Sequence, residues 1–194
     1  MIHFRERDGR VRTMTAAEFE RVFGARYAPR LLAPEPPGRA PRLPGAACAE
    51  AARLGRALAA EETAATFIAA VSPEVGYGLF ARRPLRAGRL IGEYAGRLTR
   101  DWARSVRVPA DFNPYLLKYP FASAYAVDAR EEGNETRFIN HSAARANVRR
   151  VLVPRAGLVR VAFVAAAAVP AGAQLLLDYG AGYWRAAAPA ELAP

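Results

Sequence analysis

The chain has 194 residues, of which 52% are hydrophobic, a length that suits one domain with an appendage and allows a sizeable core. Its single cysteine excludes internal disulfides and cysteine-based zinc clusters and fits a reducing compartment. The formal net charge of +10 suggests an acidic partner, although the arginines form no long basic run.

No stretch predicts a membrane span, because the most apolar run, residues 159–177, is broken by Pro170, Gly172 and Gln174. The first residues include Arg5, Glu6, Arg7 and Asp8, where a secretory signal peptide requires an apolar core. We therefore expect a cytoplasmic protein without membrane contact; a secreted effector and a nuclear protein remain open alternatives.

The first 33 residues predict a helical arm. Thr15 and Glu18 fit a capping box, Phe19 and Phe23 follow at helical spacing, and Gly24 ends the helix. Such an arm either binds a partner or packs on the main domain. His3 lies in a terminus that we expect to be mobile.

Two further segments lead to the main domain. Residues 34–45 contain five prolines and two glycines, which predicts a linker without regular structure. Residues 46–62 are rich in alanine and place Leu54 and Leu58 on one face of a predicted helix.

From residue 63 the chain changes to short β-like segments separated by glycine and proline. Many short strands with little helix predict a β-rich α+β domain over residues 63–185, followed by a tail, 186–194. The predicted strands are Thr66–Val71, Gly78–Ala81, Leu90–Arg97, Tyr115–Tyr119, Ala124–Ala129, Val148–Val153, Val159–Ala165 and Gln174–Tyr179.

The first candidate motif is Gly76-Tyr77-Gly78. Its glycines allow the backbone to approach a ligand closely, but a plain hairpin connection has the same sequence. It is not a phosphate loop, because the longer glycine pattern and the following helix are absent.

The second motif is Arg137-Phe138-Ile139-Asn140-His141-Ser142. His141 is one of two histidines, without a second well-placed histidine or a nearby cysteine, so we expect no metal site. A serine hydrolase is disfavoured, because the chain has no Gly-x-Ser-x-Gly elbow. Taken alone, His141 is also compatible with a hydrogen-bonded structural role.

The third motif is Leu175-Leu176-Leu177-Asp178-Tyr179-Gly180, and a related tyrosine, Tyr94, lies in Gly92-Glu93-Tyr94-Ala95-Gly96. A tyrosine after an apolar strand usually belongs to the core, with its hydroxyl bonded to the backbone. From the residues alone, both the core role and a chemical role stay open for Tyr179.

Together, in this order, the motifs resemble the SET-domain family of protein-lysine N-methyltransferases, over residues 67–184. The resemblance implies a SET (β-clip) fold, with short-stranded sheets around a threaded C-terminal segment. It also implies transfer of a methyl group from S-adenosylmethionine to a lysine of a protein substrate, such as a histone-like or ribosomal protein. The cysteine-rich zinc-binding flanks of many members are absent from this sequence.

The same resemblance implies roles for individual residues. The implied catalytic residues are Tyr179 and Tyr94. The implied cofactor-binding residues are Val75, Gly76 and Tyr77 through the backbone, together with Tyr115, Arg137, Asn140 and His141. Within this set, Asn140 is expected at the amino-acid end of the cofactor and the His141 main chain at its adenine edge. Tyr183 and Trp184 either line a pocket or pack the core.

The sequence also departs from the family pattern. Ala143–Ala146 form a longer loop without the usual cysteine before Asn147, Gln174 replaces a glutamate, and Leu177 occupies a position that is often aromatic. These departures leave open a catalytically inactive SET-like protein-binding module. A basic nucleic-acid-binding domain is a further alternative, although direct nucleic acid binding is not expected without aromatic residues among basic strands.

Overall fold

The computed structural model describes residues 1–34, 45–100, 113–120, 124–181 and 183. Within them lie two helices, α1 (Ala16–Phe23) and α2 (Gly45–Ala59), and a 3₁₀ turn, Glu135–Phe138. The strands are β1 (Ile2–Arg5), β2 (Val11–Met14), β3 (Arg26–Tyr27), β4 (Thr66–Ser72), β5 (Gly76–Ala81), β6 (Leu90–Glu93), β7 (Arg97–Thr99), β8 (Leu116–Lys118), β9 (Ala126–Asp128), β10 (Glu132–Gly133), β11 (Asn140–His141), β12 (Val148–Arg155), β13 (Leu158–Ala165) and β14 (Leu176–Leu177). The β-rich α+β prediction is confirmed.

The N-terminal arm contains three short strands beside its predicted helix. The capping box of α1 is present, with the Glu18 amide donating to Thr15 and the Thr15 amide to Glu18, and Gly24 ends the helix at φ +64°. Strand β1 lies between β2 and β4 in the sheet order β2-β1-β4-β5. The expectation of a mobile terminus was therefore wrong for His3, which lies in β1 with its Nε2 atom 2.8 Å from the Arg82 guanidinium.

A five-stranded sheet of order β11-β14-β12-β13-β6 contains the threaded segment that the family resemblance implies. Strand β14 lies between β11 and β12 and is parallel to both. Residues 142–147 connect β11 with β12 and therefore cross β14. The Ser142 amide donates to the Leu177 carbonyl (3.1 Å), and the Asn147 amide donates to the Leu176 carbonyl (2.9 Å).

Two smaller sheets complete the domain, with orders β7-β9-β8 and β10-β3. The predicted strand Leu90–Arg97 is divided into β6 and β7, with residues 94–96 between them. At this break the Gly96 backbone passes so close to β9 that a Cβ on Gly96 would clash with the Asp128 carbonyl oxygen. The strand is interrupted where the chain passes from the five-stranded sheet to the sheet β7-β9-β8.

Helix α2 agrees with the predicted helix and packs on the five-stranded sheet. Its Leu54 is fully buried in a small core of its own with Leu90, Val153, Ala162 and Val164. The predicted linker falls largely on residues 35–44, which lie outside the described part of the chain, as do the tail and the Cys48 side chain. Within the described part, no helix is long and apolar enough to cross a bilayer.

Candidate active site

The three sequence motifs meet in space. The Asn140 side-chain amide donates a 3.0 Å hydrogen bond to the carbonyl of Tyr77, which joins the second motif to the glycine turn between β4 and β5. Gly76 has φ +74°, a conformation that favours glycine, and a Cβ there would meet no atom within 4 Å. The turn therefore presents its backbone to open space beside Asn140.

The third motif joins the second through paired strands. Asn140 is opposite Leu176 and His141 is opposite Leu177 in the parallel β11–β14 pair. The Tyr179 amide then donates to Nδ1 of His141 at 3.1 Å, and the two rings lie 5.3 Å apart. Because Nδ1 accepts this bond, the neutral imidazole has its proton on Nε2.

Two tyrosine hydroxyls at the site donate to main-chain carbonyls. The Tyr179 hydroxyl donates to the Ile139 carbonyl (2.6 Å), and the Tyr94 hydroxyl donates to the Tyr115 carbonyl (2.7 Å). Burial raises the pKa of the Tyr179 phenol, and Tyr183 and Tyr115 raise it further. Burial also raises the pKa of Tyr94, with a further contribution from Tyr179. Both phenols are therefore neutral and fixed in direction near neutral pH.

Arg137 lies against this tyrosine group. Its guanidinium carbon is 3.9 Å from the centre of the Tyr115 ring, within cation–π distance. The residue is 7% exposed, and its Nε and Nη1 atoms have no hydrogen-bond partner among the described residues. Burial lowers the pKa of Arg137, but a guanidinium keeps its charge in proteins. A buried positive charge thus lies beside Tyr115.

The altered loop before Asn147 preserves the connection to β14. Asn147 accepts a hydrogen bond from the Leu176 amide (2.9 Å) and donates to the Gln174 carbonyl (2.9 Å). The sequence drew attention to this asparagine only as the end of an unusual loop. Its amide group, which can both donate and accept, was the available signal for a bridging role.

The structure brings together most of the predicted site residues. Tyr77, Asn140, His141 and Tyr179 are linked by hydrogen bonds, and a second group comprises Tyr94, Tyr115 and Arg137. Other predicted residues lie at the edge or outside. Val75 is 52% exposed in the turn, Tyr183 packs edge-on against Tyr179 at 4.6 Å, and Trp184 lies outside the described residues.

The family follows from comparison with known proteins. The SET domain family model matches residues 76–180, more than half of the 194 residues. The chain belongs to the SET domain family, as its motifs indicated. Among the described residues, no group of three or more histidine, cysteine, aspartate or glutamate side chains could hold a metal ion.

The chain is similar to two curated histone-lysine N-methyltransferases. It is 33% identical over 114 residues to EHMT1 of Homo sapiens, a stretch covering 57% of this chain and 9% of that protein. It is 33% identical over 105 residues to MEDEA of Arabidopsis thaliana, covering 54% of this chain and 15% of the relative. The chain thus spans less than a fifth of the length of these relatives.

Solved structures show the same fold. An active polycomb repressive complex 2 in the stimulated state matches with a TM-score of 0.56 and 28% identity, over 64% of this chain and 16% of that chain. ctPRC2 in an autoinhibited conformation, bound to S-adenosylmethionine, matches with a TM-score of 0.52 and 27% identity, over 61% and 15%. The domain is therefore homologous to SET domains of histone-lysine methyltransferases.

Proposed function

We propose that this chain transfers a methyl group from S-adenosylmethionine to the side-chain amine of a lysine in a protein substrate. The observation that carries this proposal is the convergence of Tyr77, Asn140, His141 and Tyr179, which lie in three separate segments, through direct hydrogen bonds. The homology to histone-lysine methyltransferases supports the same reaction.

The residues of the site fit this cofactor. The open backbone at Gly76 gives room for its amino-acid end, and the Asn140 amide lies beside that turn. The described donors are neutral groups and backbone, apart from the Arg137 guanidinium, whose two unpaired nitrogen atoms suit a carboxylate. When bound, S-adenosylmethionine would supply a methyl group on its sulfonium, whose carbon a neutral amine attacks in one step while the C–S bond breaks, S-adenosylhomocysteine leaves and the methylated ammonium then loses a proton to water.

In this proposal the tyrosines orient the substrate amine. A neutral phenol donates its proton to a carbonyl and retains lone pairs on oxygen that accept a hydrogen bond from an amine N–H. Tyr179 and Tyr94 have this arrangement, because each hydroxyl donates a hydrogen bond to a main-chain carbonyl. Alignment of two bound reactants contributes about 7–11 kcal/mol to such a transfer.

The lysine must arrive neutral, because an ammonium has no lone pair. A free lysine has a pKa of about 10.4. Burial among Tyr94, Tyr115 and Tyr179 disfavours the charged form. These groups make a strong general base unnecessary.

The direct test is incubation with isotope-labelled S-adenosylmethionine and candidate substrates, histones and ribosomal proteins included, read by mass spectrometry. We expect labelled methyl-lysine on a substrate protein. Lys118 is the only lysine of the chain, so self-methylation is readily distinguished. Cofactor binding without transfer to any substrate would indicate an inactive SET-like binding module instead.

Two variants separate chemistry from binding. Tyr179→Phe removes the hydroxyl that orients the amine and should lower turnover on the order of 100-fold, the usual effect of losing one oriented polar contact. Its cofactor affinity should stay within about threefold of wild type, because a hydroxyl that does not touch the cofactor adds little to binding. Unchanged turnover in Tyr179→Phe would refute its catalytic role.

Asn140→Ala should instead weaken cofactor binding and raise the cofactor Kd about tenfold, measured by calorimetry.

A further inference from the structure

The N-terminal arm reaches the candidate site although it lies outside the family match. That match begins at residue 76, whereas the arm ends at about residue 33. Strand β1 pairs in parallel with β4, where Phe4 is opposite Ile68, and β4 in turn pairs with β5, which begins at Gly76. The arm is therefore part of the sheet whose turn faces the site.

Two aromatic rings of the arm lie beside the ring of Tyr77. The Phe23 ring lies 5.0 Å from the Tyr77 ring at an interplanar angle of 87°, an edge-to-face contact, and Phe4 lies 6.1 Å from Tyr77. Phe138, from the second motif, is also 6.1 Å from Tyr77 and packs at 4.7 Å against Phe23. Phe23 thus contacts a ring from each of two site segments.

Two of these rings, Tyr77 and Phe138, belong to the segments that a hydrogen bond joins. The Tyr77 carbonyl accepts a hydrogen bond from the Asn140 side-chain amide, and Phe138 precedes Asn140 by two residues. A change in the packing of either ring shifts the backbone that forms this bond, because packed interiors transmit small displacements. The position of Phe23 is itself fixed at the last residue of α1, between the capped start of the helix and Gly24.

We propose that Phe23 is a positioning residue of the cofactor site. Its ring holds Tyr77 and Phe138 together, so that the glycine turn and Asn140 keep the spacing that the cofactor requires. The arm thereby contributes to cofactor affinity through Tyr77 and Phe138. This inference rests on the proposed function, since it concerns the same cofactor.

The experiment compares ring-removing and ring-retaining variants of the full chain. Phe23→Leu removes the aromatic ring but retains an apolar side chain, whereas Phe23→Tyr retains the ring. Phe67→Leu is the matched control: Phe67 stacks on Phe80, which lies on the opposite face of β5 from Tyr77, because 80 and 77 differ by an odd number of residues. Binding of S-adenosylhomocysteine is measured by calorimetry, and thermal unfolding reports stability.

We expect Phe23→Leu to raise the Kd for S-adenosylhomocysteine about tenfold, and Phe23→Tyr and Phe67→Leu to stay within about twofold of wild type. Turnover at saturating cofactor should change little in Phe23→Leu, a division between affinity and turnover that general destabilisation does not produce. If Phe23→Leu does not fold, Phe4→Leu takes its place in the test, with an expected rise in the Kd of about threefold.

Four outcomes overturn the inference. A wild-type Kd in Phe23→Leu, or an equal rise in Phe67→Leu, overturns the role of Phe23 and leaves the proposed function intact. The same holds if Phe4→Leu, used in its place, binds like wild type. A wild-type chain that binds neither S-adenosylmethionine nor S-adenosylhomocysteine contradicts both proposals.

Discussion

The arm and helix α2 both precede the residues that match the family, yet they relate differently to the site. In the arm, Phe23 packs against Tyr77, and the Leu31 amide donates a hydrogen bond to the side chain of Glu93, the residue before Tyr94. Helix α2 packs on strands β12 and β6 of the five-stranded sheet, with Leu54 in a separate small core. We therefore expect α2 to stabilise the fold without affecting the site. The arm, in contrast, is expected to affect both.

The largest effect is expected for Glu93→Ala, which removes one anchor of the arm. Oε1 of Glu93 accepts hydrogen bonds from the Leu31 amide (3.1 Å) and from Nη1 of Arg160 (3.0 Å), and Glu93 is 6% exposed. Removing one partner of a buried ion pair costs about 3–5 kcal/mol. Urea unfolding should show this loss, and Glu93→Gln, which retains an acceptor, should lose less. Equal losses in both variants would contradict this account of the anchor.

In helix α2, Leu54→Ala should destabilise the fold without weakening cofactor binding. Leu54 is 0% exposed, and a buried leucine replaced by alanine costs about 2–5 kcal/mol. Chemical unfolding measures the loss, and calorimetry should give a wild-type cofactor Kd at a temperature where the variant is folded. A raised Kd would show that α2 also acts on the site.

A smaller effect is expected for Thr15→Ala, which removes half of the capping box of α1. Losing such an N-cap costs about 1 kcal/mol. Because the same helix positions Phe23, the cofactor Kd should rise by about twofold, within the range of a weakened aromatic contact. Thermal unfolding and calorimetry on the same samples test both parts. A change in stability with no change in Kd would limit the arm to a structural role.

The smallest effect, and a gain, is expected for Gly55→Ala in the middle of α2. A Cβ at this position would lie 3.4 Å from Cγ1 of Val153, at the edge of ordinary contact. Alanine in place of glycine inside a helix stabilises by about 1 kcal/mol or slightly less. The melting temperature should therefore rise while the cofactor Kd stays unchanged. A lower melting temperature would mean that Val153 does not accommodate the added methyl group.

Local signals in the sequence predicted α1, α2 and the strands β12 and β13, although not the pairing of these two strands. Thr15, Glu18 and Gly24 specify the ends of α1 by chemistry within the helix itself, so no distant contact is needed. The strands of the arm carried no comparable signal. β1 and β3 have four and two residues, mix charged with apolar side chains, and pair in parallel with β4 and β10, which are far away in the sequence.

The motifs of the site were visible in the sequence, but their mutual contacts were not. Resemblance to a family identified Asn140, His141 and Tyr179. The bonds of Asn140 to Tyr77 and of Tyr179 to His141 depend on the placement of β14, which no local pattern encodes. The spacing of Phe19 and Phe23 indicated a buried face, but only the fold shows that Phe23 packs against Tyr77.

The threaded position of β14 also bears on biosynthesis. The two strands beside it, β11 and β12, come earlier in the chain, so both are synthesised before Leu176 and Leu177. Pairings between residues distant in sequence form slowly. The space between β11 and β12 is therefore filled only after Leu176 and Leu177 have been made, and chaperones that shield exposed strand edges would assist the nascent polypeptide during that interval.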